Sequence, residues 1–168
     1  GGAAAAAASN SAPGSALESA PRLELDLLSV DIDYNDYWVL KAVLEANVAA
    51  PKLLVVEVNA HGGPERSQSV PYAANASWDG KSSFHGATVN AFVRLCARHA
   101  YTLVYCESHG VNCFFARDDQ LVALLRSPLA VRLAARDGVD VAALEASYAA
   151  ARASAAGTAL APSAWWEQ

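Results

Sequence analysis

The sequence has little charge and no basic surplus. Only 17% of its 168 residues are charged, and 17 acidic side chains against 12 lysines and arginines give a formal net charge of -5. Proteins bind phosphate backbones through clustered lysine and arginine, so this composition argues against nucleic acid as a partner. We therefore expect the partner to be a small molecule or a second protein chain.

The sequence also lacks zinc-binding cysteine motifs and long apolar segments. Its three cysteines, Cys96, Cys106 and Cys113, form no CxxC pair and no zinc-like spacing with histidine. We expect free thiols in a reducing compartment, with the cytoplasm as the default location. Outside the alanine-rich ends no stretch approaches 18 uninterrupted apolar residues, so we expect a soluble protein without membrane contact.

The apolar content is sufficient for one domain with a substantial core, because 54% of the residues are hydrophobic. Residues 1–22 mix small and polar residues without apolar periodicity, and they lack the pattern of a secretory signal. We interpret them as a low-complexity, disordered lead-in. Residues 23–119 should form an α/β unit, and residues 120–168 an alanine-rich helical extension.

Strand-like and helical patterns alternate at the start of the α/β unit. Residues 23–32 form an apolar run that ends in acids, which is typical of a buried parallel strand. Asn35 and Asp36 can cap the helix indicated by the apolar spacing of residues 37–46. Residues 52–59 are a second strand, rich in β-branched residues. This order predicts a right-handed parallel crossover, in which both strands end at one edge of the sheet.

The rest of the unit predicts a long loop, a helix and a hairpin. Residues 61–85 are too long and too rich in turns for a plain connection, so we expect a lid or binding loop. Helical spacing returns over residues 86–100. Runs at 101–106 and 111–116 flank a tight turn and predict an antiparallel hairpin that closes the sheet. Further helices follow, with a break at Pro128.

Polar side chains stand where the two predicted parallel strands end. Asp31 and Asp33 lie two residues apart and should point the same way from an extended strand. Two neighbouring carboxylates raise each other's pKa, so one of them could act as a general base near neutral pH. Glu57 and Asn59 repeat this alternation on the next strand, where we predict that they bind a substrate hydroxyl. His61 follows directly and is the third predicted catalytic residue, although a loop histidine is often simply solvated.

Other interpretations of the two aspartates are open. One of them could cap the following helix while the other pairs with a lysine or arginine. Asp31, Asp33 and Glu57 could instead hold a Mg²⁺ ion together, although we assign no metal to them.

Further residues near this edge complete the predicted substrate-binding set. Asn35 and Asp36 follow the first strand, and Trp78 and Asp79 lie on the long loop together with His85. A loop aromatic can cover a bound ligand, or it can fold back to bury itself. A different pair of aromatics, at positions 37 and 38, has helical spacing and is assigned to core packing.

Several separated motifs share one family likeness. They occupy residues 27–38, 56–59, 70–72, 78–79 and 106–115. These segments resemble the C-terminal half of FkbM-like methyltransferases, in particular a branch with the signature Asp-Ile-Asp-Gly-Asn-Asp-Tyr-Trp. The likeness spans about residues 23–119. It implies a partial Rossmann-like methyltransferase sheet containing the fourth and fifth of seven strands and the terminal antiparallel pair.

The resemblance implies methyl transfer from S-adenosylmethionine to a hydroxyl or similar group of a small-molecule acceptor. Such proteins carry the cofactor on an earlier strand and Gly-rich turn, and residues 1–22 contain neither, so we expect no cofactor binding by this chain alone. The glycine of the signature is Tyr34 here, which places a large side chain in a turn where glycine allows positive φ. The alternative function is a non-catalytic interaction module that pairs through the exposed edge of the first strand.

Overall fold

The computed structural model describes residues 22–155, with the side chains of Tyr148 and residues 151–155 excepted. Most of the predicted lead-in and the last part of the predicted extension lie outside the described residues. The described elements are, in chain order, β1 (Leu23–Val30), α1 (Asp36–Glu45), β2 (Ala49–Glu57), a 3-10 turn (Ala60–Gly62), α2 (Val89–Arg98), β3 (Tyr101–Cys106), β4 (Asn112–Arg117), α3 (Asp118–Leu125), α4 (Pro128–Arg136) and α5 (Val141–Ala155).

The strands form one mixed sheet in the order β1-β2-β4-β3. β1 and β2 pair in parallel, with Val30 opposite Val56, which confirms the predicted parallel pair. β3 and β4 form the predicted antiparallel hairpin. β4 also pairs antiparallel with β2, so the last strand is inserted between β2 and β3. β4 therefore lies inside the sheet, and β1 and β3 are at the two ends of its described part.

The first strand ends two residues earlier than predicted, at Val30 rather than Ile32. The prediction that it is buried is wrong, because Val30 is its one buried residue and β1 pairs with a described strand on one side only. Asp33 has a φ of 65°, in the left-handed region that aspartate occupies more readily than most residues. The extended backbone therefore gives way to a turn, and α1 begins at Asp36. The polar residues that follow β1 consequently lie on this turn and not on the strand.

The core lies between one face of the sheet and the helices α1 and α2. Leu54 of β2 and Phe115 of β4 stand opposite each other and are fully buried. Leu40 of α1 and Phe92 of α2 are also fully buried, and all four belong to one apolar cluster. Tyr37 joins this cluster and Trp38 packs against it, which confirms the core assignment of that aromatic pair.

The helices predicted after the hairpin are present. Pro128 occupies the first turn of α4, where its missing N–H leaves no bond unmade. The Ser127 hydroxyl caps this helix by accepting a hydrogen bond from the Ala130 N–H. No helix among the described residues has the length and apolar character needed to cross a bilayer.

The expectation of three free thiols is wrong. Cys106 and Cys113 form a disulfide across the β3–β4 hairpin, and Cys96 is the free, buried cysteine. The two partners are directly opposite each other in the strand register, although they lie 7 residues apart in sequence. A search for CxxC spacing misses such a pair, because strand pairing rather than sequence proximity brings the sulfurs together. The cysteines therefore no longer argue for a reducing compartment.

The disulfide predicts a specific labelling result. Alkylation of the denatured, unreduced protein should modify Cys96 alone, because the other two thiols are consumed. Mass spectrometry of the labelled peptides measures this, and the same protein reduced before alkylation is the control that should show three labels. Three labels without reduction would contradict the disulfide.

Candidate functional site

Three carboxylates converge where β1 and β2 end. Asp31 and Asp33 follow β1 and are exposed, whereas Glu57 is the last residue of β2 and is 7% exposed. One oxygen from each side chain lies within 4.8 Å of the other two. Parallel pairing aligns the carboxyl ends of the two strands, so the predicted convergence of these three residues is confirmed. We refer to them below as the carboxylate cluster.

Glu57 is the buried member of this cluster, and its charge is poorly compensated. Its pKa is raised to about 7, first by burial and then by the negative charges of Asp36, Asp31 and Asp33. The Asp33 backbone N–H donates a hydrogen bond that partly offsets this shift. The second carboxylate oxygen, Oε2, is buried and has no hydrogen-bond partner.

A histidine faces Glu57 from the long loop. His85 Nδ1 lies 3.9 Å from Glu57 Oε1, which is too far for a hydrogen bond. Burial lowers the pKa of His85, which disfavours the protonated form that an ion pair with the carboxylate would require. The Trp78 ring packs against the imidazole, with the ring centroids 4.4 Å apart and the ring planes inclined by 34°.

A cleft of about 200 Å³ opens beside Glu57. Its walls are formed by Glu57, Val58, Ala60, His61, Trp78, His85, His109, Gly110 and Val111. Three of these residues were predicted for catalysis or substrate binding. They are Glu57 at the end of β2, His61 in the turn after it and Trp78 on the long loop. The cleft walls combine a carboxylate, imidazoles and an indole ring.

Asn59 holds the loop that forms one wall of this cleft. Its side-chain amide donates hydrogen bonds to the carbonyls of Ser83 and His85, at 2.7 and 2.8 Å. Its side-chain oxygen accepts a bond from the His61 N–H at 3.0 Å. Asn59 is 1% exposed, and its side chain bonds to the loop and to the turn after β2. Its predicted contact with a substrate would therefore need the loop to open.

Two residues that follow β1 also serve the local structure. Asn35 donates a hydrogen bond from its amide to the Ala73 carbonyl at 2.8 Å. Asp36 is fully buried, and its Oδ1 accepts a bond from the Ile32 N–H at 2.8 Å. Asp36 thus orders the turn after β1, behind the carboxylate cluster, and burial raises its pKa.

The predicted loop residues differ in their positions. Trp78 lines the cleft, and its indole N–H donates to the Ser82 carbonyl at 2.6 Å. Asp79 is exposed and accepts hydrogen bonds from the backbone N–H groups of Lys81 and Ser82, which lower its pKa. Asp79 therefore shapes the turn that carries Trp78. A further bond, from the Trp38 indole to the Val70 carbonyl at 2.7 Å, fastens the loop to α1.

Tyr34 does not obstruct the cleft. Its side chain is buried and packs on Phe84 with ring centroids 5.9 Å apart. The positive φ in this turn belongs to Asp33 and not to Tyr34. The large side chain at the signature's glycine position is therefore accommodated under the loop without backbone strain.

The hairpin turn at His109–Val111 was not among the predicted site residues, yet it forms part of the cleft. β3 runs in the same direction as β2, because both are antiparallel to β4. The carboxyl end of β3 must therefore reach the edge that holds the carboxylate cluster. The signal in the sequence is the helix predicted between β2 and β3, because a strand reached through a crossover helix runs parallel to the strand before it, and ligands bind at the carboxyl ends of parallel strands.

Searches against protein-family models, curated proteins and solved structures found no match to this chain.

Glu57 should make the stability of the protein fall with rising pH. In the unfolded chain the carboxyl ionises near 4.5, whereas the folded protein retains the proton up to about 7. Because the folded state binds more protons in this interval, the free energy of unfolding decreases as pH rises through it and stays low above it. Glu57→Gln should remove this slope and be more stable than wild type at pH 8 by on the order of 2 kcal/mol.

Urea denaturation at pH 4.5 and pH 8 in a chelating buffer measures the effect. The control is Glu45→Gln, because Lys41 lowers the pKa of Glu45 and this exposed carboxylate should show no gain at pH 8. Equal pH dependence in wild type and Glu57→Gln would contradict the prediction.

Proposed function

We propose that this domain is the acceptor-binding half of a methyltransferase-like unit that transfers a methyl group from S-adenosylmethionine to a hydroxyl of a small molecule. The observation that carries the proposal is the carboxylate cluster beside an open cleft, at the shared carboxyl edge of two parallel strands. In α/β sheets this edge is where ligands bind. In this proposal the described residues bind the acceptor molecule and not S-adenosylmethionine.

The order of elements supports this proposal. The resemblance implies two parallel strands followed by a terminal antiparallel pair, and β1, β2 and the β3–β4 hairpin have that arrangement. The resemblance to FkbM-like methyltransferases concerns topology and a few motifs. It makes methyl transfer the best-supported chemistry for this edge, ahead of other reactions that the same groups could perform.

The chemistry of the cleft suits an acceptor that carries hydroxyl groups. Asp31 and Asp33 do not line the cleft but lie beside Glu57, which does, and their exposed carboxylates can accept hydrogen bonds from hydroxyls. Trp78 offers the face of its ring to a sugar or aromatic ring. In the proposed step the acceptor oxygen bonds to the methyl carbon as the sulfur–methyl bond breaks. S-adenosylhomocysteine leaves, and His61 receives the hydroxyl proton.

A screen of small hydroxyl compounds tests the acceptor site. Monosaccharides, catechols and hydroxy acids should include binders that shift the backbone amide signals of Ala60, Gly110 and Val111 in a two-dimensional NMR spectrum. Asp33→Asn should weaken this binding at least fivefold, because a hydroxyl loses a charged acceptor. Asp26→Asn is the matched control, since it removes a carboxylate from the same segment of chain but far from the cleft.

Binders that shift signals only elsewhere, or that bind Asp33→Asn unchanged, would overturn the acceptor site. A second arm titrates S-adenosylmethionine into the isolated chain by calorimetry. We expect no micromolar binding, and finding it would overturn the assignment of the acceptor side alone.

A second candidate function is strand pairing with another copy of the chain. Among the described strands, β1 lies at one end of the sheet, and its side chains Leu23 and Leu27 are 59% and 52% exposed. An apolar edge strand is a template for pairing with a further strand. Light scattering should then report a dimer that Leu27→Lys converts to a monomer. A wild-type monomer at high micromolar concentration would contradict this candidate.

A further inference from the structure

We propose that the carboxylate cluster of Asp31, Asp33 and Glu57 binds one divalent cation of the Mg²⁺ or Mn²⁺ type. The sequence left a Mg²⁺ ion at these residues as an open alternative, without an observation that favoured it. The inference goes beyond methyl transfer and does not depend on it, because it concerns the ion that the cluster holds and not the reaction beside it.

The spacing of the three carboxylates fits a shared ion. One oxygen from each lies within 4.8 Å of the others. Two oxygens bound to the same ion at about 2.1 Å are separated by at most about 4.2 Å. Asp31 and Asp33 are exposed, so small rotations of their side chains close the remaining gap, while Glu57 is held in place by burial.

An independent observation comes from His85, which lies outside the cluster. Its side chain is 8% exposed, and its Nδ1 is buried without a hydrogen-bond partner, 3.9 Å from Glu57 Oε1. That separation is too long for a hydrogen bond but fits two atoms that bind one ion from different sides. Glu57 Oε2 is likewise buried without a partner. These two neighbouring side chains thus each carry a buried polar atom without a partner, and buried polar groups without partners are rare unless an ion or ligand satisfies them.

The charge balance of the surrounding surface supports the same conclusion. Two carboxylates elsewhere have basic partners: Asp26 on β1 pairs with Lys52 at 2.7 Å, and Glu45 on α1 pairs with Lys41 at 2.7 Å. Within residues 22–155, no lysine or arginine forms an ion pair with the carboxylate cluster, and the basic side chain that approaches Glu57 is His85. A cation from solution would supply the missing positive charge.

The ligand set favours a hard ion. Three carboxylates and one imidazole suit Mg²⁺ or Mn²⁺, whereas zinc sites are richer in sulfur and nitrogen. The imidazole gives Mn²⁺ an advantage over Mg²⁺. Because Asp31 and Asp33 are exposed, the ion would keep coordination positions open to water or to a ligand oxygen in the adjacent cleft.

The test uses the full chain, freed of metal by a chelator and kept without thiol reductants. Calorimetric titration with Mn²⁺ should show one site per chain with a dissociation constant below about 1 mM. Asp33→Asn and Glu57→Gln should each weaken binding at least tenfold. Asp26→Asn should bind as wild type does, because this carboxylate lies near the middle of β1 and pairs with Lys52.

A second measurement keeps the result decisive if a variant fails to fold. In the wild-type protein, Mn²⁺ should broaden the amide signals of Asp33 and Glu57 at concentrations that leave Lys52 unaffected. Excess Mg²⁺ should restore the broadened signals by competition. Absence of saturable binding below about 10 mM Mn²⁺, or broadening that does not centre on the cluster, would overturn the proposal. Neither measurement uses an acceptor or S-adenosylmethionine, so such a failure would leave the acceptor site standing.

Discussion

The parallel pairing of β1 with β2 is the constraint on which the site depends. Its register places Val30 opposite Val56, so the two strands end side by side. The apolar side chains of β2 that fill the core hold this register, because a shift by one residue would turn them out of it. The carboxylates at the ends of both strands are therefore held close together. The free energy gained by packing the core offsets the electrostatic repulsion between them.

Polar side chains around the cleft mostly hold structure in place. Asn59 connects the end of β2 to the long loop, and Asn35 and Trp38 fasten the same loop to the start of α1. Because these bonds are made within the protein, the cleft wall formed by Trp78 and His85 is ordered before any ligand arrives. Such preorganisation reduces the entropy that binding would otherwise cost.

One edge of the sheet would bind both an organic acceptor and a metal ion. The cleft offers hydrogen-bonding groups and a ring face to an organic acceptor, and the carboxylate cluster offers charge to an ion. Glu57 belongs to both, so an ion held by the cluster would stand at the mouth of the cleft. This arrangement allows an oxygen-rich ligand to be bound by protein and cation together.

The sequence by itself determined the alternation of strands and helices, the parallel pair, the hairpin and the acidic edge. Local apolar periodicity and the length of the crossover are sufficient for these features. Tertiary structure alone decided the insertion of β4 beside β2, the Cys106–Cys113 disulfide and the burial that separates Glu57 from the exposed Asp31. It also decided that Asn59 bonds to the loop. Each of these depends on contacts between residues far apart in the chain, and no local pattern encodes which distant group a side chain will meet.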